Sequence, residues 1–332
     1  MQKILVIQTA FIGDVVLATG LLESLHQQYP LAAISILVRK GNEALFKQHP
    51  FIDEVLVWDK KTKKYQHLVQ IIRQIRQRQF DLLINVQRFA ATGLITIFSA
   101  AKTTIGFDKN PFSLFFSKRI KHIFSKGDLD LHEIERNHQL IVTQSDPTAA
   151  RPKLYPSQED YAKVSGLIQS PYICMAPASV WFTKQYPEAQ WVKLLGLIPK
   201  HYKVYLLGAP SDAETCNRIL ASANCSNAIS LAGQLNFLQS AALMQTAVMN
   251  YVNDSAPMHF ASSVNAPVTA IYCSTIPAFG YGPLSDNRHI VEVKAALDCR
   301  PCGIHGRKEC PQGHFNCANL ITQVDLLAVL PT

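Results

Sequence analysis

At 332 residues the chain is longer than one ordinary domain and fits two of typical size. Hydrophobic residues make up 48% of it and Gly and Pro are not in excess, which excludes a disordered or fibrous chain and leaves a packed globular protein. The formal net charge is +8, and residues 1–150 carry most of it, with 19 Lys and Arg against 13 Asp and Glu. A basic first half suits anionic lipid, phosphorylated glycan or nucleic acid, or is an ordinary solvated surface.

From the start of the chain, Lys3–Gln8 reads as a buried strand. The stretch Met1–Ile7 lacks the long apolar region and cleavage site of a signal peptide, and no apolar run is long enough to cross a bilayer. A cytoplasmic protein is therefore expected. After the loop Thr9–Gly13, Val15–Gln28 has apolar residues at helical spacing. Strand Ala33–Val38, helix Asn42–His49, strand Glu54–Trp58, helix His67–Arg78 and strand Asp81–Val86 follow. The cluster Lys60-Lys61-Thr62-Lys63-Lys64 has no interleaved aromatics and no accompanying motif, so no nucleic-acid partner is expected.

The Pro-punctuated stretch Asp146–Pro156 reads as a boundary, giving domains 1–150 and 151–332. The alternation then restarts: strand Tyr172–Ala176, helix Ala189–Leu197, strand Val204–Gly208, helix Ala213–Ala221 and strand Ala228–Ser230. Helix Leu238–Thr246, strand Val248–Val252, helix Met258–Val264, strand Val268–Tyr272 and a final helix over Leu320–Leu330 complete it. Two successive units of this kind predict an α/β protein with two Rossmann-like domains facing each other across a cleft.

Ligands of open α/β sheets bind at the carboxyl ends of strands, so the loops there are searched first for chemistry. Phe11-Ile12-Gly13-Asp14 follows the first strand. Asp14 reads either as a helix N-cap or as a general base projecting into the cleft. The loop has neither a Gly-x-Gly-x-x-Gly nor a Walker pattern, which argues against a dehydrogenase or a P-loop enzyme. Ala176-Pro177-Ala178-Ser179 is followed by Trp181, Lys184, Tyr186 and Pro187, and Lys184 is a surface lysine or a point charge for phosphate. Asn253-Asp254-Ser255-Ala256-Pro257-Met258-His259 joins a strand to a helix whose first amides would suit an anion. Asp254 and Ser255 are equally plain capping residues.

Taken together, these segments resemble glycosyltransferase family 9, the lipopolysaccharide heptosyltransferases. The resemblance runs over essentially the whole chain. It also includes Phe80-Asp81-Leu82-Leu83-Ile84, Ile105-Gly106-Phe107, His132-Glu133-Ile134-Glu135-Arg136 and Leu231-Ala232-Gly233. The resemblance implies a GT-B fold, an N-terminal acceptor domain, a C-terminal nucleotide-sugar domain and an inverting transfer that requires no metal or other cofactor. It implies Asp14 as general base, and Lys184, Asp254, Ser255, Ala256 and His259 at the donor, ADP-heptose. His259 also reads as a structural histidine. Arg88 and Arg136 are the candidates for gripping an anionic lipopolysaccharide-core acceptor, with the enzyme cytoplasmic or peripheral on the inner membrane face. Gly20 stands where the family often has proline, and Ser255-Ala256 replace the more usual Thr-Gly. The alternatives are another nucleotide sugar on the same fold, or a catalytically silent nucleotide-sugar binder.

Of eight cysteines, Cys299, Cys302, Cys310 and Cys317 crowd the C-terminus near His305 and His314. Their spacing suits a structural metal or a reduced, packed cluster, so the metal is left open.

Overall fold

The computed structural model describes residues 1–126, 129–142 and 148–330. Residues 146 and 147 of the expected boundary stretch, and the last two residues of the expected second domain, lie outside it. The chain forms two compact units, Met1–Tyr155 and Pro156–Thr332.

The first unit runs β1 (Lys3–Ile7), α1 (Ile12–Gln28), β2 (Ala33–Arg39), β3 (Ile52–Trp58), α2 (Lys64–Arg78), β4 (Leu82–Asn85), α3 (Ala90–Ile97), β5 (Thr103–Phe107) and β6 (Lys118–Ile120). A two-stranded ribbon, β7 (Ser125–Lys126) with β8 (Leu129–Asp130), and helix α4 (Glu133–His138) follow. The sheet order is β3-β2-β1-β4-β5-β6, with every pairing parallel. Ile4, Leu5, Val6 and Ile7 are fully buried, as a central parallel strand covered on both faces requires.

The second unit repeats the plan: α5 (Gln158–Val164), β9 (Tyr172–Ala176), α6 (Glu188–Leu197), β10 (Lys203–Leu206), α7 (Ala213–Ala223), β11 (Ala228–Ser230) and α8 (Phe237–Gln245). Then come β12 (Met249–Asn253), α9 (Ala256–Ser263), β13 (Val268–Tyr272), β14 (Arg288–Glu292), α10 (Asn316–Asn319) and α11 (Gln323–Leu327). The sheet order is β11-β10-β9-β12-β13-β14, again all parallel.

Three expectations need correction. The helix expected over Asn42–His49 is one 3-10 turn, Glu43–Phe46, and the chain leaves it extended at Lys47. The single final helix is two short ones. Leu326 is buried in the core of the second unit, where its carbonyl accepts the Tyr251 hydroxyl at 2.7 Å. Helix α1 begins at Ile12, so Gly13 and Asp14 belong to its first turn and Phe11 is the cap residue.

The back of α1 carries the segment that leaves the first unit. A Cβ on Gly20 would lie 2.5 Å from the Ala150 carbonyl oxygen, so only glycine permits this approach. The Ala150 amide donates to Ser24 Oγ (3.3 Å), the Lys153 amide to Thr19 Oγ1 (2.8 Å) and the Tyr155 hydroxyl to Glu23 Oε1 (2.8 Å). Among the described residues no helix is long and apolar enough to cross a membrane.

Candidate active site

In each sheet the strand order reverses between two central strands, and the crevice beyond their carboxyl ends is where such folds bind ligands. In the first unit those strands are β1 and β4. The loop after β1 is held from three sides. Gln8 Oε1 accepts from the Ala10 amide (3.2 Å) and from Gln87 Nε2 (2.5 Å), which ties it to the loop after β4. Asn42 Nδ2 donates to the Ala10 carbonyl (3.2 Å). Lys60 Nζ donates to the Thr9 carbonyl (2.8 Å) and to Thr9 Oγ1 (2.7 Å). This frame carries the half-buried Asp14 in the first helical turn, where the helix dipole favours a carboxylate.

Asp14 stands in the field of Arg39, at the end of β2. Burial lowers the Arg39 pKa, and the negative charge of Asp14 opposes that shift. The Arg39 guanidinium lies over the Phe11 ring, 4.9 Å from its centre. Lys60 lies over Trp58 at 4.7 Å, and its pKa is pushed down to about 8, first by burial and then by Arg39 and Lys64. Arg39, Lys60, Gln8 and Gln87 did not emerge from sequence reasoning. The usable signal was position, since Arg39 ends one predicted strand and Lys60 stands just past the end of another.

The two acceptor candidates part company. Arg88 is exposed in the loop after β4. Arg136 is 1% exposed, and its guanidinium binds Glu133 (2.8 Å) and the Leu131 carbonyl (2.7 Å) beneath the Phe124 ring. A charge so committed braces its own segment; Arg136, expected to grip an anionic acceptor, is held here within the fold.

In the second unit the reversal lies between β9 and β12. The buried Asn253 clips their loops together, its Oδ1 accepting the Tyr186 amide (2.9 Å) and its Nδ2 donating to the Pro177 carbonyl (2.7 Å). Beside it Lys184 Nζ pairs with Asp254 Oδ2 at 2.6 Å, and the buried Thr275 hydroxyl donates to the same oxygen at 2.6 Å. Ser255 occupies the cap position of α9 without capping through its side chain, Ala256 is its first residue, and His259 is buried in the following turn.

The cysteine-bearing tail supports this loop. Thr183 Oγ1 accepts from the Ser274 hydroxyl (2.9 Å) and from the Arg307 amide (2.7 Å), while the Cys302 amide donates to the Ser274 carbonyl (2.8 Å). Gly306, at φ +75°, lies against Lys184: a Cβ there would stand 3.0 Å from Lys184 Cγ. Neither Thr275 nor Gly306 carried a signal in the sequence. All eight cysteines are free thiols. Burial pushes Cys317 up to about 11, and the nearby thiols of Cys302, Cys310 and Cys299 add to the shift. Among the described residues no group of three or more His, Cys, Asp or Glu side chains is placed to hold a metal ion.

The fold can be compared with solved structures. The glycosyl transferase family 9 protein from Veillonella parvula DSM 2008 superposes with a TM-score of 0.82 at 21% identity, covering 99% of this chain and 95% of that one. The ADP-heptose lps heptosyltransferase II of E. coli superposes with a TM-score of 0.77 at 21% identity, covering 99% and 98%. The architecture is that of a GT-B glycosyltransferase. Residues 68–313, well over half of the chain, match the family model for glycosyltransferase family 9 (heptosyltransferase), and the chain belongs to that family. Among curated relatives, lipopolysaccharide heptosyltransferase 2 of Escherichia coli (strain K12) is 24% identical over 327 residues, covering 88% of each chain.

Proposed function

We propose that this glycosyltransferase moves a heptose from ADP-heptose onto a lipopolysaccharide-core acceptor, with inversion at the anomeric carbon. The first unit would take the acceptor and the second the nucleotide sugar. Asp14 removes the proton from the attacking hydroxyl as that oxygen bonds to the anomeric carbon and ADP departs from the opposite face. Lys184 and the first amides of α9, at Ser255 and Ala256, carry the charge that develops on the diphosphate. Asp254 keeps the ammonium of Lys184 in place, and His259 packs beneath that turn. Arg88 meets the anionic acceptor. No metal ion takes part, and the reaction belongs to the cytoplasmic face of the inner membrane.

The observation that carries this reading is the ion pair of Lys184 with the buried Asp254 at the switch point of the second sheet. A fixed cation at a switch point suits the diphosphate of a nucleotide sugar, which supports the reading. The family match and the names of the curated relatives support heptose as the sugar.

The test is a thermal-shift panel of ADP-, GDP-, UDP- and dTDP-linked sugars, followed by transfer to a heptose-deficient core acceptor read by mass spectrometry. Stabilisation by ADP-heptose together with a product one heptose heavier is expected. Stabilisation by another nucleotide sugar alone would move the enzyme to a different glycan, and stabilisation without product would make it a binding protein.

A further inference from the structure

The loop between β5 and β6 is pinned to the body of the first unit. Asn110, buried, donates through Nδ2 to the carbonyls of Gln87 and Phe89, both at 3.1 Å, and accepts the Phe112 amide at 3.0 Å. Ser113 Oγ donates to the Asp108 carbonyl (3.0 Å), and the His122 amide to Asp108 Oδ1 (2.9 Å). Gly93 leaves the room this needs, since a Cβ there would stand 2.9 Å from the Phe112 ring. Phe116 is buried over Gly106.

With Ser113 and Phe116 turned inward, the two residues between them face water. Leu114 is 76% exposed and Phe115 72%; Phe89, whose carbonyl Asn110 grips, is 65% exposed. Large apolar side chains grouped on a rigid scaffold and left in water mark a surface built to be covered. The exposed charges of the chain from Lys109 to Lys121 are of one sign. Lys109, Lys118, Arg119 and Lys121 are all exposed, and no acidic residue occurs between Lys109 and Lys126.

We propose that this tip is a docking surface for an anionic phospholipid bilayer. Leu114, Phe115 and Phe89 would enter the boundary between headgroups and acyl chains, while the lysines and Arg119 meet anionic headgroups. Charge complementarity selects the lipid surface, because an unrelieved row of cations repels a second copy of itself. The tip is also continuous with the frame of Asp14: Asn110 holds the Gln87 carbonyl, the Gln87 side chain holds Gln8, and Gln8 holds the Ala10 amide. Docking therefore brings the Asp14 end of the sheet to the membrane. The docking stands whichever sugar is transferred; only its benefit to turnover rests on a lipid-linked acceptor.

Co-sedimentation of the full chain with vesicles tests it. Strong binding is expected to vesicles of equal parts phosphatidylethanolamine and phosphatidylglycerol, weakened by salt and absent with phosphatidylcholine alone. Leu114→Ser with Phe115→Ser, and separately Lys118→Glu with Arg119→Glu, should each weaken binding by roughly tenfold or more. The nucleotide-sugar thermal shift should remain that of the parent protein, which shows that the fold is intact. If the apolar pair fails to fold, the exposed charge pair carries the test. Undiminished binding by folded variants, or no binding by the parent protein, overturns the proposal. So does self-association of the parent protein, abolished by the variants, with no affinity for vesicles.

Discussion

The ammonium of Lys184 and the carboxylate of Asp254 meet at 2.6 Å, and Thr275 donates to the same carboxylate oxygen. The two residues are far apart in sequence and are brought together because β9 and β12 are neighbours in the sheet. Removing one partner of such a pair strands the other charge, at a cost of about 3–5 kcal/mol. Lys184→Ala is therefore expected to lower the melting temperature clearly and to reduce kcat/KM roughly 100- to 1,000-fold. Lys184→Arg should restore more of the stability than of the rate. Calorimetry and steady-state kinetics on the two variants separate these effects; an unchanged Lys184→Ala protein would remove the pair from both roles.

Asp14→Asn keeps the size of the side chain and removes its basicity. Transfer should fall by roughly 100- to 10,000-fold, with the thermal shift by donor unaltered. Full turnover in this variant would rule out Asp14 as the base.

Gly306→Ala tests the support beneath Lys184. At φ +75° an alanine costs roughly 1–2 kcal/mol. Its methyl would also press on Lys184 Cγ and Thr183 Oγ1, at 3.0 and 3.1 Å. A rise in donor KM larger than the change in kcat is expected from initial-rate measurements. A loss of stability with unchanged kinetics would make the contact structural only.

Two histidines of the first unit are expected to contribute to its response to acid. Burial pushes both His49 and His122 down to about 4. Neighbouring positive charge adds to this, from His26 and Lys153 at His49 and from Arg88 and Arg136 at His122. The unfolded chain binds these protons from about pH 6.5 and the folded chain only near pH 4. Over that window the unfolded state holds more protons, so stability falls as pH falls. His49 packs edge-on against Phe51 and Tyr155, with ring centres 4.5 and 4.7 Å away. His49→Phe keeps a ring there and should flatten the dependence of melting temperature on pH between 6.5 and 4. An unchanged slope would assign the acid sensitivity elsewhere.

Because Lys184 and backbone amides are assigned the leaving-group charge, transfer should continue undiminished after dialysis against a chelator. A rate that collapses and returns on addition of a metal ion would replace that assignment with Lewis-acid catalysis.

The central strands were legible because both their faces are covered. Tyr172–Ala176 and Val268–Tyr272, buried at every position, were read with the bounds the structure has, and the short edge strand Ala228–Ser230 was located from the turn residues around it. The edge strand β14, Arg288–Glu292, mixes exposed and buried positions and gives no comparable run of apolar residues. Strand β6 is only Lys-Arg-Ile. The loops at the switch points could be located from the strand ends alone, which is why Asp14, Lys184 and Asp254 were singled out. Long-range partners were not accessible in this way, and Thr275 and Gly306 join the site only through tertiary packing. The burial of Arg136 was not legible, because a charged residue in a sequence carries no mark of its burial.

The fastening of residues 150–155 along α1 determines where the first unit can be cut. A fragment ending at residue 150 would discard Lys153 and Tyr155, which hold Thr19 and Glu23, and would uncover the back of the helix whose first turn bears Asp14. A fragment ending at Tyr155 keeps that covering. Residues 150–155 are thus a splint for the helix that bears Asp14 as well as a connector.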